Sequence, residues 1–351
     1  MFTRSAAPRA ETCALFLCVL LLGPAPSIMA NTDAMVSPQL GKLRLALLKF
    51  GTANWEADVI KHHQLDRKHG FNLDVVPLAS KQASVVALQA GAADMILGDW
   101  LWVSRQRNAG QALSFFPYSR CVGGLLVAAD SPIRNLADLR GKKLGIAGGP
   151  IDRSWLLLQV LAKQQYEIDL DRTVQKVFGA PPLLYKKMLD GELDGVINYW
   201  HYLAKLEAQG LRQLISMEDV IQQLGFDADT PMLGYVFRES WSGANPMLVA
   251  AMMAASTEAK QILKHNEQEW RRLRPLLKTT NEAEFRALQR GFRAGIPATS
   301  WIDDTRSPAA IVTILSQTLN TGKQNHPLLG QTPVLAAGTF YRPPVDLTSR
   351  R

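Results

Sequence analysis

From Lys42 onward, short apolar runs alternate with stretches of helical periodicity, and that alternation restricts the chain to few folds. Residues 43–49 read as a strand, 56–69 as a helix stopped by Gly70, and 72–78 as a second strand. Ser80 caps a helix over 81–90 that Gly91 closes. A buried strand over 95–97 and a helix over 100–109 follow, then two extended runs within 113–130, broken near 121–124. One helical turn at 136–140 precedes a strand at 144–147 and a helix at 152–165. The cycle repeats with strands at 174–178 and 195–198, helices at 182–189 and 199–209, and a strand-like run at 232–237. Residues 245–320 are mostly helical in pattern, with breaks expected near Pro275, Pro297 and Pro308, and the tail after Gly322 reads as irregular. Strands alternating with helices predict an α/β protein: mostly parallel sheets with helices on both faces.

The pattern also echoes itself. Leu88-Gln89-Ala90-Gly91-Ala92-Ala93-Asp94 resembles Met188-Leu189-Asp190-Gly191-Glu192-Leu193-Asp194, each a helix ending at Gly before an Asp that opens a short strand. A period of about one hundred residues is too long for a solenoid. Two lobes built on the same strand–helix–strand logic account for it, and a length of 351 residues is enough for two domains.

The formal charge of +8 comes from 39 Lys+Arg against 31 Asp+Glu. Its densest runs are short, as in Arg271-Arg272-Leu273-Arg274, and aromatic residues do not alternate with them. A nucleic-acid surface concentrates its basic residues and interleaves stacking rings, so nucleic acid is excluded as a partner.

The first thirty residues read as an export signal. Arg4 and Arg9 precede an apolar stretch at 13–22, Gly23-Pro24 breaks it, and small residues lead to a cleavage point near Ala30. Its cleavage removes Cys13 and Cys18 and leaves Cys121 alone, with no intramolecular disulfide possible. The mature chain is expected to be exported and soluble, in the periplasm.

Leu136-Ala137-Asp138-Leu139-Arg140-Gly141-Lys142-Lys143-Leu144-Gly145 fits the pattern L-x-D-L-x-G-K-x-x-G. With the signal, the stretch before Asp94 and the order of elements, it resembles the type II periplasmic solute-binding proteins of ABC transporters. The likeness is greatest to the nitrate, sulfonate, taurine and thiamine-precursor branch, and it covers about residues 42–240. The resemblance implies two mixed, mostly parallel sheets joined by two hinge strands, near 119–127 and 232–237. Lobe 1 would comprise 41–127 plus 236–351, and lobe 2 would comprise 128–235. It further implies a monomer that captures a small anionic or zwitterionic solute in the cleft. The partner would be an inner-membrane permease driven by a cytoplasmic ATPase.

A general rule picks the site without the resemblance: in open α/β sheets, ligands bind beyond the carboxyl ends of the strands. Those positions hold Asn54 and Trp55, then Ser80 and Lys81, then Asp99 and Trp100. In the second half they hold Gly149, Asp152, Arg153 and Ser154, then Asn198, Tyr199 and Trp200. Helix starts at Ser80–Lys81 and Gly149–Ser154 offer free N–H groups and a positive dipole end to an anion. Arg153 adds a planar fork. Trp55, Trp100 and Trp200 are expected as cleft walls, whereas Trp102 and Trp155 are expected to pack beneath their loops. Asp99 either pairs a ligand amine or caps its helix, and Ser80 is equally suited to a plain cap.

No cofactor motif is present, and the spacing of the six His gives no metal site; His62 and His69 stand two turns apart on one predicted helix. Neither a Walker loop, a Gly-x-Ser-x-Gly elbow nor a His-Glu-x-x-His occurs. Cys121 beside Arg120 reads as a buried, inert thiol in the hinge rather than a nucleophile. A non-enzymatic binder is therefore expected. The alternative is an enzyme on the same two-lobe fold, like those of menaquinone or pyrimidine synthesis. It lacks the cysteine-rich motif of the pyrimidine synthases, and export argues against biosynthesis.

Overall fold

In the computed structural model, which describes residues 40–297, 306–319 and 334–342, the alternation resolves into two five-stranded sheets. The chain runs β1 (Gly41–Leu48), α1 (Ala53–His62), α2 (Leu65–Lys68), β2 (Phe71–Leu78), α3 (Lys81–Gln89), β3 (Met95–Gly98), α4 (Trp100–Asn108) and β4 (Leu113–Ser119). It crosses to β5 (Gly123–Val127), a 3-10 turn (Leu136–Leu139), β6 (Lys143–Ala147), α5 (Arg153–Tyr166), α6 (Leu170–Thr173) and β7 (Gln175–Gly179). Then come α7 (Pro181–Leu189), β8 (Gly195–Tyr199), α8 (Trp200–Ala208), β9 (Arg212–Ser216) and α9 (Met217–Gln223). β10 (Leu233–Arg238) returns to the first sheet, followed by α10 (Glu239–Ala244), α11 (Pro246–His265), α12 (Glu267–Leu277), α13 (Glu282–Ala294) and α14 (Arg306–Leu319). The export-signal segment 1–30 lies outside the described residues, as does most of the tail after Gly322. No helix among the described residues is long and apolar enough to cross a membrane.

The sheets share one plan, β2-β1-β3-β10-β4 and β7-β6-β8-β5-β9. β1 pairs in parallel with β2 and β3, and β6 in parallel with β7 and β8. The antiparallel member of each sheet is the strand that enters from the other one: β10 against β3 and β4, β5 against β8 and β9. Gly123 and Gly124 make that entry possible. Gly123 has φ of 142°, and a Cβ there would run into the carbonyl of Asn198; at Gly124 it would sit 2.6 Å from the Ile215 carbonyl.

Sheet membership shifts the expected lobe limits. β5 pairs wholly within the second sheet, so the chain crosses at 120–122 rather than after 127. The return crossing lies between α9 and β10, and β10 pairs wholly within the first sheet. Not all of 236–351 joins the first lobe either. α14 packs on α5, putting Ile311, Val312 and Leu315 into one apolar cluster with Trp155 and Leu158.

The opposite face of the first sheet is covered by α1 and α11, with Trp55, Trp270, Phe285 and Phe292 filling the space. Inside it lies a buried ionic cluster. Lys260 Nζ stands 2.6 Å from Glu56 Oε2, while Tyr235 OH (2.7 Å) and Ser256 Oγ (2.6 Å) donate to Glu56 Oε1. The ammonium also sits 4.4 Å from the centre of the Tyr118 ring. α13 reaches across to pack on α8. There the contact needs glycine: a Cβ on Gly291 would lie 2.7 Å from the Trp200 ring.

Candidate functional site

The carboxyl ends of β1 and β3 face the start of α5 and the β8–α8 junction across a cavity of about 160 Å³. Five of the expected residues line it: Lys81, Asp152, Arg153, Tyr199 and Trp200. Each arrives there for a local reason. Ser80 Oγ accepts the Ala83 N–H at 3.1 Å, starting α3 so that Lys81 is its first residue. Asp152 caps α5 in the same way, accepting from Ser154 N (2.9 Å) and Trp155 N (3.3 Å), which leaves Arg153 at the helix mouth. Gly148 and Gly149 precede it with φ of 88° and 87°, and a Cβ on Gly148 would fall 2.5 Å from Asp152 Oδ2.

Asp99 does both things expected of it as alternatives, though with protein partners rather than a ligand. Its Oδ1 caps α4 through Trp102 N at 2.8 Å. Its Oδ2 takes Lys81 Nζ at 2.9 Å and Arg153 Nη1 at 3.3 Å. The last contact spans the two sheets, since Asp99 follows β3 and Arg153 follows β6. Burial alone would raise the Asp99 carboxyl, but Lys81, Arg153 and the Trp102 N–H together hold it well below the usual carboxylate range. For Asp152 burial prevails over the pull of Arg153 and the capped N–H groups, and its carboxyl is pushed up.

Other expected residues are placed elsewhere. Trp100 is not a cleft wall: it is fully buried, packed 6.0 Å from Phe340, with no hydrogen-bond partner for Nε1. As the first residue of α4 it turns under the helix into the core. Trp55 is buried against Trp200 and Trp270. Asn54 spends its amide on the carbonyls of Leu48 (2.8 Å) and Gly51 (2.7 Å), and so pins its own loop. Both border a second, outer cavity of about 510 Å³. Asn198 is buried and bonded to the Pro181 carbonyl and the Tyr199 N–H. Ser154 is buried, Ser80 serves as a cap, and Gly149 borders open space. Trp102 and Trp155 are buried, as expected.

The lining also includes Tyr118, Cys121 and His201. Tyr118 is the penultimate residue of β4, which runs in the same direction as β3, so the carboxyl-end rule applied to that strand reaches it. Its hydroxyl is buried without a hydrogen-bond partner. Cys121 lies in the first crossing, and burial, aided by Glu218, pushes its thiol up to about 12. A thiol so protonated is a poor nucleophile. His201 lines both cavities.

The His201 ring packs 4.4 Å from Tyr202, and burial, with the Lys205 ammonium nearby, pushes its imidazole down to about 3 from an ordinary 6.5. Between those two values the unfolded chain binds a proton that the folded chain refuses, so His201 makes stability fall as pH drops below 6.5. Urea unfolding at a series of pH values should show a shallower acid-side loss for His201→Gln than for wild type. Equal losses in both would remove this assignment.

Away from the cleft, the ligand atoms of His62, His63 and Glu269 come within 4.8 Å of one another. Glu269 is already bonded to His63 Nε2 (3.0 Å) and to Arg272 Nε (2.9 Å), an ion-pair network that ties α1 to α12.

Comparison with known proteins agrees with this architecture. The NMT1/THI5-like family matches residues 67–269, more than half of the chain. No match is found among curated proteins by sequence. Among solved structures, the periplasmic aliphatic sulphonate binding protein SsuA of Escherichia coli is similar at 19% identity and a TM-score of 0.67, covering 88% of this chain and 94% of that one. The alkanesulfonate-binding protein SsuA of Xanthomonas axonopodis pv. citri, bound to MOPS, is 17% identical with a TM-score of 0.64, covering 86% and 98%. The ligand-binding component of an ABC-type import system from Staphylococcus aureus is 14% identical with a TM-score of 0.60, covering 86% and 97%. The paired five-stranded sheets are thus the two-lobe fold of periplasmic solute-binding proteins, and the chain belongs to the NMT1/THI5-like family.

Proposed function

We propose that this protein is an exported, monomeric solute-binding protein that holds a small anionic or zwitterionic solute between its two sheets and delivers it to an ABC permease. The observation that carries the reading is the cavity at the strands' carboxyl ends, where Lys81 comes from one sheet and Arg153 from the other. A solute bridging the two would be gripped from both sides, the arrangement that couples capture to closure of a hinge. The short crossings at 120–122 and between α9 and β10 are the natural pivots. Micromolar affinity corresponds to about −8 kcal/mol, and a few charge-assisted hydrogen bonds plus burial against Trp200 and Tyr118 can supply it.

The same residues speak for binding without turnover. The cavity thiol is protonated at neutral pH, and His201 is held as a neutral, packed ring. Thermal-shift screening against sulfonates, nitrate, amino-sulfonates, pyrimidines and small carboxylates tests the proposal. Saturable stabilisation with the ligand recovered intact is expected. Chemical conversion of a hit would overturn the reading in favour of an enzyme.

A further inference from the structure

Outside the cleft, one group of side chains brings together what a transition-metal ion needs. The ligand atoms of His62, His63 and Glu269 all lie within 4.8 Å of one another, the one such group among the described residues. His62 is the last residue of α1 and His63 its C-cap, while Glu269 sits in the first turn of α12. No spacing along the chain announces the trio, because Glu269 arrives from 206 positions away. Ion pairing accounts for only part of it. His63 Nε2 stands 3.0 Å from Glu269 Oε2, and Arg272 Nε donates to Glu269 Oε1 at 2.9 Å. His62 takes no part in that network. Its ring packs edge-on against that of His63, 5.0 Å between centres, and makes no hydrogen bond among the described residues. Both imidazoles are exposed, so an ion can reach them, whereas Glu269 is buried and held in place by Arg272.

We propose that His62, His63 and Glu269 form a surface site for a zinc-type divalent ion, with water completing the coordination. Zinc takes imidazole nitrogen and carboxylate oxygen at about 2.0–2.2 Å, which sets two ligands of one ion about 3.0–3.5 Å apart. The His63–Glu269 separation of 3.0 Å already meets that spacing. The third ligand atom starts at most 4.8 Å away, and rotation of the exposed His62 ring closes the rest. Charge favours a cation here. Asp58 and Glu269 bring two carboxylates against the single guanidinium of Arg272, which is bonded to both. Lys61, next to His62 in sequence, is turned away to Asp66 at 2.7 Å. The carbonyl end of α1 adds its negative dipole at His62 and His63. Glu269 keeps Oε1 on Arg272 and offers Oε2, so the guanidinium orients the ligating carboxylate. The ion staples the end of α1 to the start of α12. α1 begins at the cavity with Ala53 and is about 15 Å long, so this site stands apart from the cleft and does not depend on its solute.

Titration calorimetry with zinc chloride, on protein purified without a polyhistidine tag, tests the site. Saturable binding is expected, and His62→Gln should weaken it at least tenfold, since even groups outside a ligand set are worth about 10–100-fold in affinity. Because His62 makes no hydrogen bond, this variant keeps the fold and the network of His63, Glu269 and Arg272. His69→Gln is the control. His69 pairs with Glu258 at 3.1 Å, and Lys68 shares that carboxylate, so its loss should leave zinc binding unchanged. Magnesium, which takes oxygen ligands, should not displace zinc. Thermal unfolding followed by circular dichroism should show Tm raised by zinc in wild type, and raised less in His62→Gln at the same zinc concentration. The proposal is overturned by an absence of saturable zinc binding, by equal affinity in His62→Gln, by a loss as large in His69→Gln, or by ready displacement with magnesium.

Discussion

Replacing Arg153 with methionine is expected to weaken solute binding by a factor of about 100 to 1,000 while the fold is retained. The guanidinium reaches the cavity wall from α5, and its Nε is buried without a hydrogen-bond partner. Two charge-assisted hydrogen bonds to a bound acid group are worth about 3–4 kcal/mol together, and each 1.4 kcal/mol is about a factor of ten in affinity. Methionine keeps the length of the stem, so the loss isolates the charged fork. Arg153→Lys should recover only part of it, because a point charge replaces a planar donor pair. The fold should survive, because Asp99 keeps Lys81 (2.9 Å) and the Trp102 N–H (2.8 Å) as partners. Titration calorimetry with the best ligand from screening, beside a far-ultraviolet circular dichroism spectrum, reads both quantities. Affinity unchanged within threefold would mean that Arg153 faces its ion pair and not the solute.

The largest expected effect on stability lies in the first lobe. Lys260→Met should cost about 3–5 kcal/mol, the usual penalty for stranding one member of a buried ion pair. Glu56 is 1% exposed, and without Lys260 it keeps only the Tyr235 and Ser256 hydroxyls. The same substitution removes the cation from the face of Tyr118, whose ring forms part of the cavity wall. Pairing it with Glu56→Gln should restore more than half of the lost stability, because a neutral amide no longer needs the ammonium. Equilibrium urea unfolding of the single and double variants measures this. A double variant no more stable than Lys260→Met would show that packing, not charge, holds the cluster together.

Most of the strand framework was legible because both sheets are buried and their parallel strands read as continuous apolar runs. β1, β3, β6 and β8 carry that signal. β9 does not: Arg212-Gln213-Leu214-Ile215-Ser216 is a sheet-edge strand with two apolar residues, and nothing local distinguishes it from a loop. The helix expected over 56–69 instead breaks at Gln64, a left-handed residue (φ 52°) that carries no glycine or proline signal. Pro275 does not interrupt α12. It falls in the last turn, and the helix ends at left-handed Lys278.

The site divides along similar lines. Chain direction fixes which loops reach the cleft, so Lys81, Asp152, Arg153, Tyr199 and Trp200 followed from the carboxyl-end rule. Which way a side chain turns within such a loop depends on residues far away in sequence. Trp100 turns towards Phe340, Trp55 towards Trp270 and Phe292, and Asn198 towards the Pro181 carbonyl. Those partners become known only once the chain is folded. The cancellation of charge by Asp99 was hidden for the same reason, because it joins residues from both sheets.

The most direct measurement is a crystal structure of the protein grown with the solute that stabilises it most. The solute should lie between the carboxyl ends of β1 and β3 and the start of α5, with an acceptor about 3 Å from the Arg153 guanidinium. A solute seated outside that space, with no atom in reach of either Lys81 or Arg153, would contradict binding between the two sheets.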